Sequence, residues 1–311
     1  MKNLFRSCKK VLMTFICTTV ALTMFATPES VPAKTNKKIG IQLYSVMAAV
    51  RKDPQASVER LTGMGYNVFE LVQWGGDPNV FGLPANEFKA LCDKNGVEII
   101  STHSSIQEEA DKENEIMARW RQLFEIQKAL GGKYFVIPSY KVEYTVEDVQ
   151  RMCDYFNRVG KIATEYDLKL GFHNHANEYN KLKDSDKVMW EYLVENTSPE
   201  YVCFELDVYW CTKGGKDPIE YLRKYPKRIE ILHIKDEFVI GDSKTIDFEG
   251  AFKQFYKNGM KEYVVEIETP RALREKKNAD GSNYTQDQIM DEMFEAARKS
   301  AEYLSNADFV K

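Results

Sequence analysis

Eight times along this chain a short apolar run is followed by a longer amphipathic stretch, and few folds are open to a chain patterned in this way. The apolar runs read as strands at 39–46, 67–74, 97–103, 133–139, 168–175, 201–209, 229–235 and 262–268. Helical periodicity follows each, at 54–64, 85–95, 111–130, 145–166, 184–196, 217–225, 248–258 and 284–304. Strict alternation predicts a parallel sheet with right-handed crossovers. The helix boundaries agree. Asp53-Pro54 and Asp217-Pro218 each place an N-cap before a first-turn proline. Thr285 to Gln288 fits a capping box, and Thr145 to Asp148 approximates one. Gly65, Gly96, Gly131 and Gly259 follow helical patterns as C-cap glycines do. No Pro/Gly/Ser-rich linker divides the chain, so eight units favour one (β/α)8 TIM barrel over an open doubly wound sheet. No G-x-G-x-x-G or P-loop follows any strand, which leaves nucleotide binding without support.

The first 33 residues stand apart. Lys2, Arg6, Lys9 and Lys10 precede an uncharged, mostly apolar run from Val11 to Ala26, and small residues with candidate cleavage positions at Ala26 and Ala33 follow. This predicts a cleaved signal peptide and short leader at 1–33, with the barrel at 34–311. The apolar run is shorter than the ~20 residues that span a bilayer, which argues against a stable membrane anchor. The expected location is exported, periplasmic or secreted. Losing the leader removes four Lys/Arg and one acid, making the chain more acidic than its full-length net charge of −4. An acidic chain is a poor electrostatic partner for nucleic acid. The mature segment keeps Cys92, Cys153, Cys203 and Cys211, none in a metal-finger spacing. Export permits disulfides, and four reduced, buried thiols are the other reading.

Barrel enzymes build their sites at the C-terminal ends of the strands. Here nearly every strand ends on polar residues: Gln42 and Tyr44, Glu70 and Gln73, His103, His173 and His175 with Glu178 just beyond, Glu205 and Asp207 followed by Trp210, His233 with Lys235 and Asp236, and Glu266 with Glu268. Strand side chains alternate with period two, so His173 and His175 share a face, as do Glu205, Asp207 and Tyr209, His233 and Lys235, and Glu266 and Glu268. The residues between them, including Phe172, Phe204, Leu206, Ile234, Val265 and Ile267, are apolar and suit the helix-facing side. The polar set therefore points into the barrel, and buried charges there must pair, bind metal or meet a polar substrate. Each member has a plainer reading: His103 as a satisfied core histidine, Glu70 as a partner of Lys235, Glu205 in a salt bridge below the site, Trp210 as packing. Together, two histidines, an aspartate and a glutamate from four strands form an N/O ligand set. It suits one divalent ion (Mn, Co, Zn, Mg or Fe) without choosing among them.

At these residues the chain resembles the sugar isomerase/epimerase family with a xylose-isomerase-like barrel. The motifs are IGIQLYSV at 39–46, LGFHNHANEY at 170–179, ELDVYW at 205–210, HIKD at 233–236 and VVEIE at 264–268. The resemblance implies one divalent metal held by His173, Asp207, His233 and Glu266, and a carbohydrate substrate. In one departure, the family's strand-five glutamate, which serves as both ligand and base, corresponds to His173. Glu178 on the following loop is the alternative source of that carboxylate. The implied chemistry is proton abstraction next to a carbonyl, with the metal polarising the carbonyl and stabilising an enediolate. Glu266 is the first candidate base, Glu178 the second, and Lys235 neutralises developing charge. Glu70 and His103 would bind hydroxyls, Tyr44 and Trp210 would offer flat surfaces to a sugar ring, and His175 and Glu268 would complete the substrate site. Proton return gives an isomerase or epimerase. Loss of a β-substituent gives a lyase or dehydratase, for example on 3-keto-glycosides. Export and the lack of a phosphate-cradling loop favour a free keto-sugar over a sugar phosphate. A non-catalytic sugar-binding barrel is the rival of another class, and a DNA-repair endonuclease is disfavoured by the acidic chain. The resemblance also allows a homodimer.

Overall fold

The computed structural model describes residues 37–73 and 77–311. The expected leader at 1–33 lies outside the described residues. Eight parallel strands close into a barrel: β1 (Gly40–Gln42), β2 (Val68–Val72), β3 (Glu98–His103), β4 (Tyr134–Ile137), β5 (Lys169–His173), β6 (Val202–Asp207), β7 (Ile229–Ile234) and β8 (Glu262–Val265). Closure is made by β1, where Ile41 is in register with Phe69 on one side and Val265 on the other. The helices are α1 (Met47–Lys52), α2 (Pro54–Gly63), α3 (Ala85–Lys94), α4 (Glu113–Ala129), α5 (Val146–Thr164), α6 (Met189–Asn196), α7 (Val208–Lys213), α8 (Pro218–Lys224), α9 (Phe248–Lys257), α10 (Arg271–Arg274) and α11 (Gln286–Asn306). A two-stranded ribbon, Asn79–Val80 with Leu83–Pro84, is set apart from the barrel.

The caps act as their residue types require. The carboxylates of Asp53 and Asp217 accept from the Ala56 and Ile219 amides at 3.0 and 2.8 Å. Thr285 and Gln288 complete a reciprocal capping box. Gly65, Gly96, Gly131 and Gly259 all take positive φ, which L side chains avoid.

Most expected strands end early, so that His175 falls past β5, and at three of them one reason is seen. Past the ladder, the backbone amides at the barrel mouth bond to side chains. The Gln42 side chain accepts from the Tyr44 amide at 2.9 Å and turns the chain into a 3-10 helix, Leu43–Val46. Asp207 accepts from the Trp210 amide at 2.7 Å and starts α7. Tyr209 therefore sits on a helix and does not share the strand face of Glu205 and Asp207, and Tyr44 lies beyond its strand. Glu266 to Glu268 continue past β8 as irregular chain. The segment 271–284 carries α10 and a Lys277–Asn283 bridge.

The interior of the barrel is layered. Val68, Ile100 and Val264 form an apolar plug. Gly171 keeps that layer tight, since a Cβ there would stand 2.9 Å from Val136. Above it the polar residues begin. Two register shifts, at Phe69/Glu70 against β3 and at Phe204/Glu205 against β7, adjust which side chains turn inward at that level. Outside, strands and helices pack through large aromatics, with Trp120 buried against Phe124 and Phe135 at centroid distances of 5.5 Å. Among the described residues, no helix is long and apolar enough to cross a membrane.

Two outcomes follow. A Cβ on Gly40 would run into the Tyr263 carbonyl where β1 meets β8. Gly40→Val is therefore expected to cost at least about 1–3 kcal/mol, seen as a fall of several degrees in Tm; an unchanged Tm contradicts this packing. Cys92, Cys153, Cys203 and Cys211 are free and buried. Burial pushes the thiols of Cys92, Cys153 and Cys211 up to about 12. In the 34–311 chain, all four are expected to resist a thiol reagent until denaturant is added, and then to react together.

Candidate active site and metal centre

The polar layer contains two joined clusters, both fully inside the barrel. In the first, His103 Nε2 lies 2.7 Å from Glu205 Oε2 and 2.9 Å from Glu70 Oε1. Gln42 Nε2 donates to Glu70 Oε1 at 2.8 Å, and the Ser101 hydroxyl donates to Glu70 Oε2. In the second, His233 Nδ1 meets Asp207 Oδ2 at 3.0 Å, and His173 Nε2 stands 3.4 Å from the same oxygen. Glu266 Oε2 lies 3.7 Å from His233 Nε2. His233 Nε2 is also 3.8 Å from Glu70 Oε1, so the clusters touch through it.

Burial and charge set the protonation states. Burial, with His233 beside it, lowers His173 to about 4, so its ring is neutral near pH 7. Burial and the neighbouring His173 lower His175 to about 4 as well. Asp207 is pushed up by burial, but the adjacent His173 and His233 outweigh this and hold it below the usual carboxylate range. Burial opposes the charge on His103, but Glu70 and Glu205 overcome it and raise the imidazole well above its ordinary value. Burial and the charge of Glu70 raise Glu205. The first cluster is thus an acid–histidine–acid group, satisfied except at Glu205 Oε1.

The second cluster is not satisfied internally. Both ring nitrogens of His173 and Nε2 of His233 are buried without a hydrogen-bond partner. His173, Asp207, His233 and Glu266 each offer a ligand atom, all within 4.8 Å of one another. A neutral imidazole, an ionised aspartate and a glutamate converging around bare ring nitrogens are a donor set that fits a divalent cation. Glu70, His103, Glu205 and His233 also satisfy that distance, but His103 Nε2 and both Glu70 oxygens there are already engaged, leaving Glu205 Oε1 and His233 Nε2 without partners.

A cavity of about 190 Å³ opens over the second cluster, lined by Tyr44, His103, Ser139, His173, His175, Glu266 and Glu268 among others. The structure brings six of the expected substrate and metal residues to this wall and places the others differently. Glu70 is fully buried with its oxygens engaged, so it supports His103 and does not reach the cavity. Glu178 belongs to the Asn177–Tyr179 3-10 turn and accepts the His175 amide at 2.9 Å, a tie that braces the loop apart from the metal donors. Lys235 is buried behind the wall with Nζ 3.4 Å from Glu268 and 5.8 Å from the rings of Tyr209 and Trp210. Trp210 packs on His175 with centroids 5.6 Å apart and does not line the cavity. Asp236 holds its own loop through the amides of Glu237 and Gly241.

Sequence reasoning passed over Asn174. Its side chain accepts from the Asp207 amide at 3.0 Å and donates to the Asp207 carbonyl at 3.2 Å. It fixes the backbone of the central ligand from the next strand. A polar residue between two histidines, where the period demands an outward side chain, was the available signal.

A family model described as a xylose isomerase-like TIM barrel matches residues 58–298. The chain belongs to that family. A solved sugar phosphate isomerase/epimerase from Parabacteroides distasonis is 31% identical, covering 90% of this chain and 99% of its own, with a TM-score of 0.75. Inosose dehydratase 2 from Bacillus cereus is 29% identical over 127 residues, and the match spans only 41% of that protein's length. The fold is also shared with a 3-keto-D-glucoside 4-epimerase from E. coli, at 18% identity and a TM-score of 0.61.

Metal retention tests the donor set. Asp207→Ala and His233→Ala are each expected to lose bound divalent ion, measured as metal per chain after gel filtration, while circular dichroism stays that of the parent. His173→Ala is expected to weaken retention at least about tenfold, and Glu178→Ala to keep it. Loss with Glu178→Ala and not with His173→Ala reverses the strand-five assignment.

Proposed function

We propose that this member of the xylose isomerase-like family is an exported, metal-dependent enzyme that removes the proton next to the carbonyl of an unphosphorylated keto-sugar or cyclic polyol ketone, and that a β-substituent then leaves. The observation that carries this reading is that Glu266 is the one buried glutamate lining the cavity among the described residues. It is buried to 8% exposure at the cavity wall, beside the donor cluster. Every other buried glutamate near the mouth is bonded elsewhere: Glu70 and Glu205 to His103, Glu178 to its own loop. One carboxylate suffices for an elimination, whereas inversion through two glutamates lacks its second base.

In the step, Glu266 takes the α-proton. The electron pair left on carbon forms a double bond to the neighbouring carbon as that carbon's C–O bond breaks. The oxygen departs with a proton, as water or an alcohol, so no oxidant or reductant is consumed. A divalent ion held by His173, Asp207, His233 and Glu266 would supply Lewis acidity to the carbonyl when bound. Neutral His175 lines the same wall and hydrogen-bonds hydroxyls without adding charge. Lys235 offsets the charge of Glu268 from behind. The cavity wall carries two glutamates and neither Lys nor Arg among the described residues, which disfavours a phosphorylated substrate. The dehydratase relative supports elimination. A second reading, epimerisation or isomerisation, is supported by the P. distasonis relative and would require charged His103, also on the wall, to deliver a proton opposite Glu266.

The test is proton NMR in D2O with metal-loaded protein, an inosose, a 3-keto-glucoside and free ketoses. Loss of water or aglycone supports the first reading; deuterium uptake with an inverted centre supports the second. Glu266→Gln is expected to lower kcat about 10²–10⁴-fold, and chelation to abolish turnover. Full metal content with no turnover of any of these compounds would favour a sugar-binding barrel and sink both readings.

A further inference from the structure

A second cavity, of about 350 Å³, opens beside the first. Tyr44 and Glu268 line both. The mouth cavity alone, at about 190 Å³, falls below the ~300–1,000 Å³ of typical small-molecule sites, and the two together fall within it. The neighbour is bounded by the start of α1, the chain after β8, α10 and α11. Its walls divide by chemistry: Met47, Ala48 and Met290 are apolar, while Thr269, Arg274 and Gln286 are polar.

The junction is built rigidly. The Tyr44 amide donates to Gln42 Oε1 at 2.9 Å, and Gln42 in turn donates to buried Glu70. The Ser45 hydroxyl accepts from the Ile267 amide at 2.9 Å, tying the two mouth segments together. Tyr44 is nonetheless 45% exposed, an unusual exposure for a large ring beside a catalytic cavity. Arg274 donates Nε and Nη2 to the Thr269 carbonyl at 3.0 and 2.8 Å. That pins one edge of the guanidinium at the cavity wall. No carboxylate pairs with Arg274 among the described residues.

We propose that this second cavity is a subsite for an O-linked second sugar ring, so that the enzyme takes a glycoside, with its reacting keto ring over the metal donors and the attached ring against Tyr44, Arg274 and Gln286. An exposed aromatic face, an apolar wall for C–H faces, and planar donors for hydroxyls form a carbohydrate surface. Glu268 at the junction disfavours an anionic substituent. The assignment rests on the keto-sugar reading above. Where elimination runs at the glycosidic carbon, the second ring is the alcohol that leaves.

Binding of glucose, maltose and cellobiose to the metal-loaded protein, by saturation-transfer NMR and calorimetry, tests the subsite without requiring turnover. One disaccharide is expected to bind at least about tenfold more tightly than glucose. Arg274→Ala is expected to remove that gain, and Ala48→Trp, which fills the cavity without touching the arginine, to do the same. Equal affinities for all three sugars overturn the subsite, as does a gain that survives both substitutions. Turnover of free ketoses with no gain from either disaccharide overturns the subsite alone. A disaccharide gain that Arg274→Ala removes, with no turnover of any keto compound, supports the subsite and overturns the reaction.

Discussion

Asp207 bears on everything around it. One of its oxygens starts α7 by capping the Trp210 amide, and the other meets His233 Nδ1, with His173 3.4 Å away. A lone carboxylate this deep would carry a desolvation cost of several kcal/mol. It is kept ionised by the two imidazoles and by its helix amide. Asn174 grips its backbone from the adjacent strand. The strand ending, the start of the next helix and the orientation of two histidines therefore depend on one side chain. The local fold and the donor geometry are set by the same interactions.

The neighbouring Glu70–His103–Glu205 group solves a different problem. Two acids on one imidazole leave excess negative charge in the barrel, and burial together with like-charge repulsion from Glu70 pushes Glu205 upward. Gln42 and Ser101 spread the remaining charge on Glu70 over further donors. Because His103 also lines the cavity, this group connects the buried base of the barrel to the substrate wall. Breaking one member would leave the others buried and unpaired, at a cost of about 3–5 kcal/mol. It supports the site without needing to be a ligand set itself.

The architecture was largely legible because each signal for it is local. Asp53-Pro54, Thr285 with Gln288, and the glycines after helices act over three or four residues. Strand period two sufficed to turn His173, Asp207, His233 and Glu266 inward, and the family resemblance picked them out as ligands. What was not legible depends on contacts between strands. The register shifts on β2 and β6 are invisible without their partners. Glu70 read as a hydroxyl binder because its sequence neighbours say nothing of Gln42, Ser101 and His103 closing around it. Tyr209 read as strand because an apolar run does not show where a side chain will capture the ladder's next amide. Glu178 read as a ligand or base because a loop carboxylate and a loop-bracing carboxylate have the same sequence.

The departure at strand five can be understood from these contacts. A glutamate in place of His173 would add a further negative charge to a layer that already holds Glu70, Glu205, Asp207 and Glu266. A neutral imidazole there supplies a donor atom while lowering the repulsion that Asp207 and Glu266 feel. On the elimination reading proposed above, it would also remove a base from that side of the cavity and leave Glu266 to take the proton. Ligand chemistry and reaction outcome would then be coupled at one position: the residue that eases the electrostatics of the donor cluster fits a reaction that needs a single base.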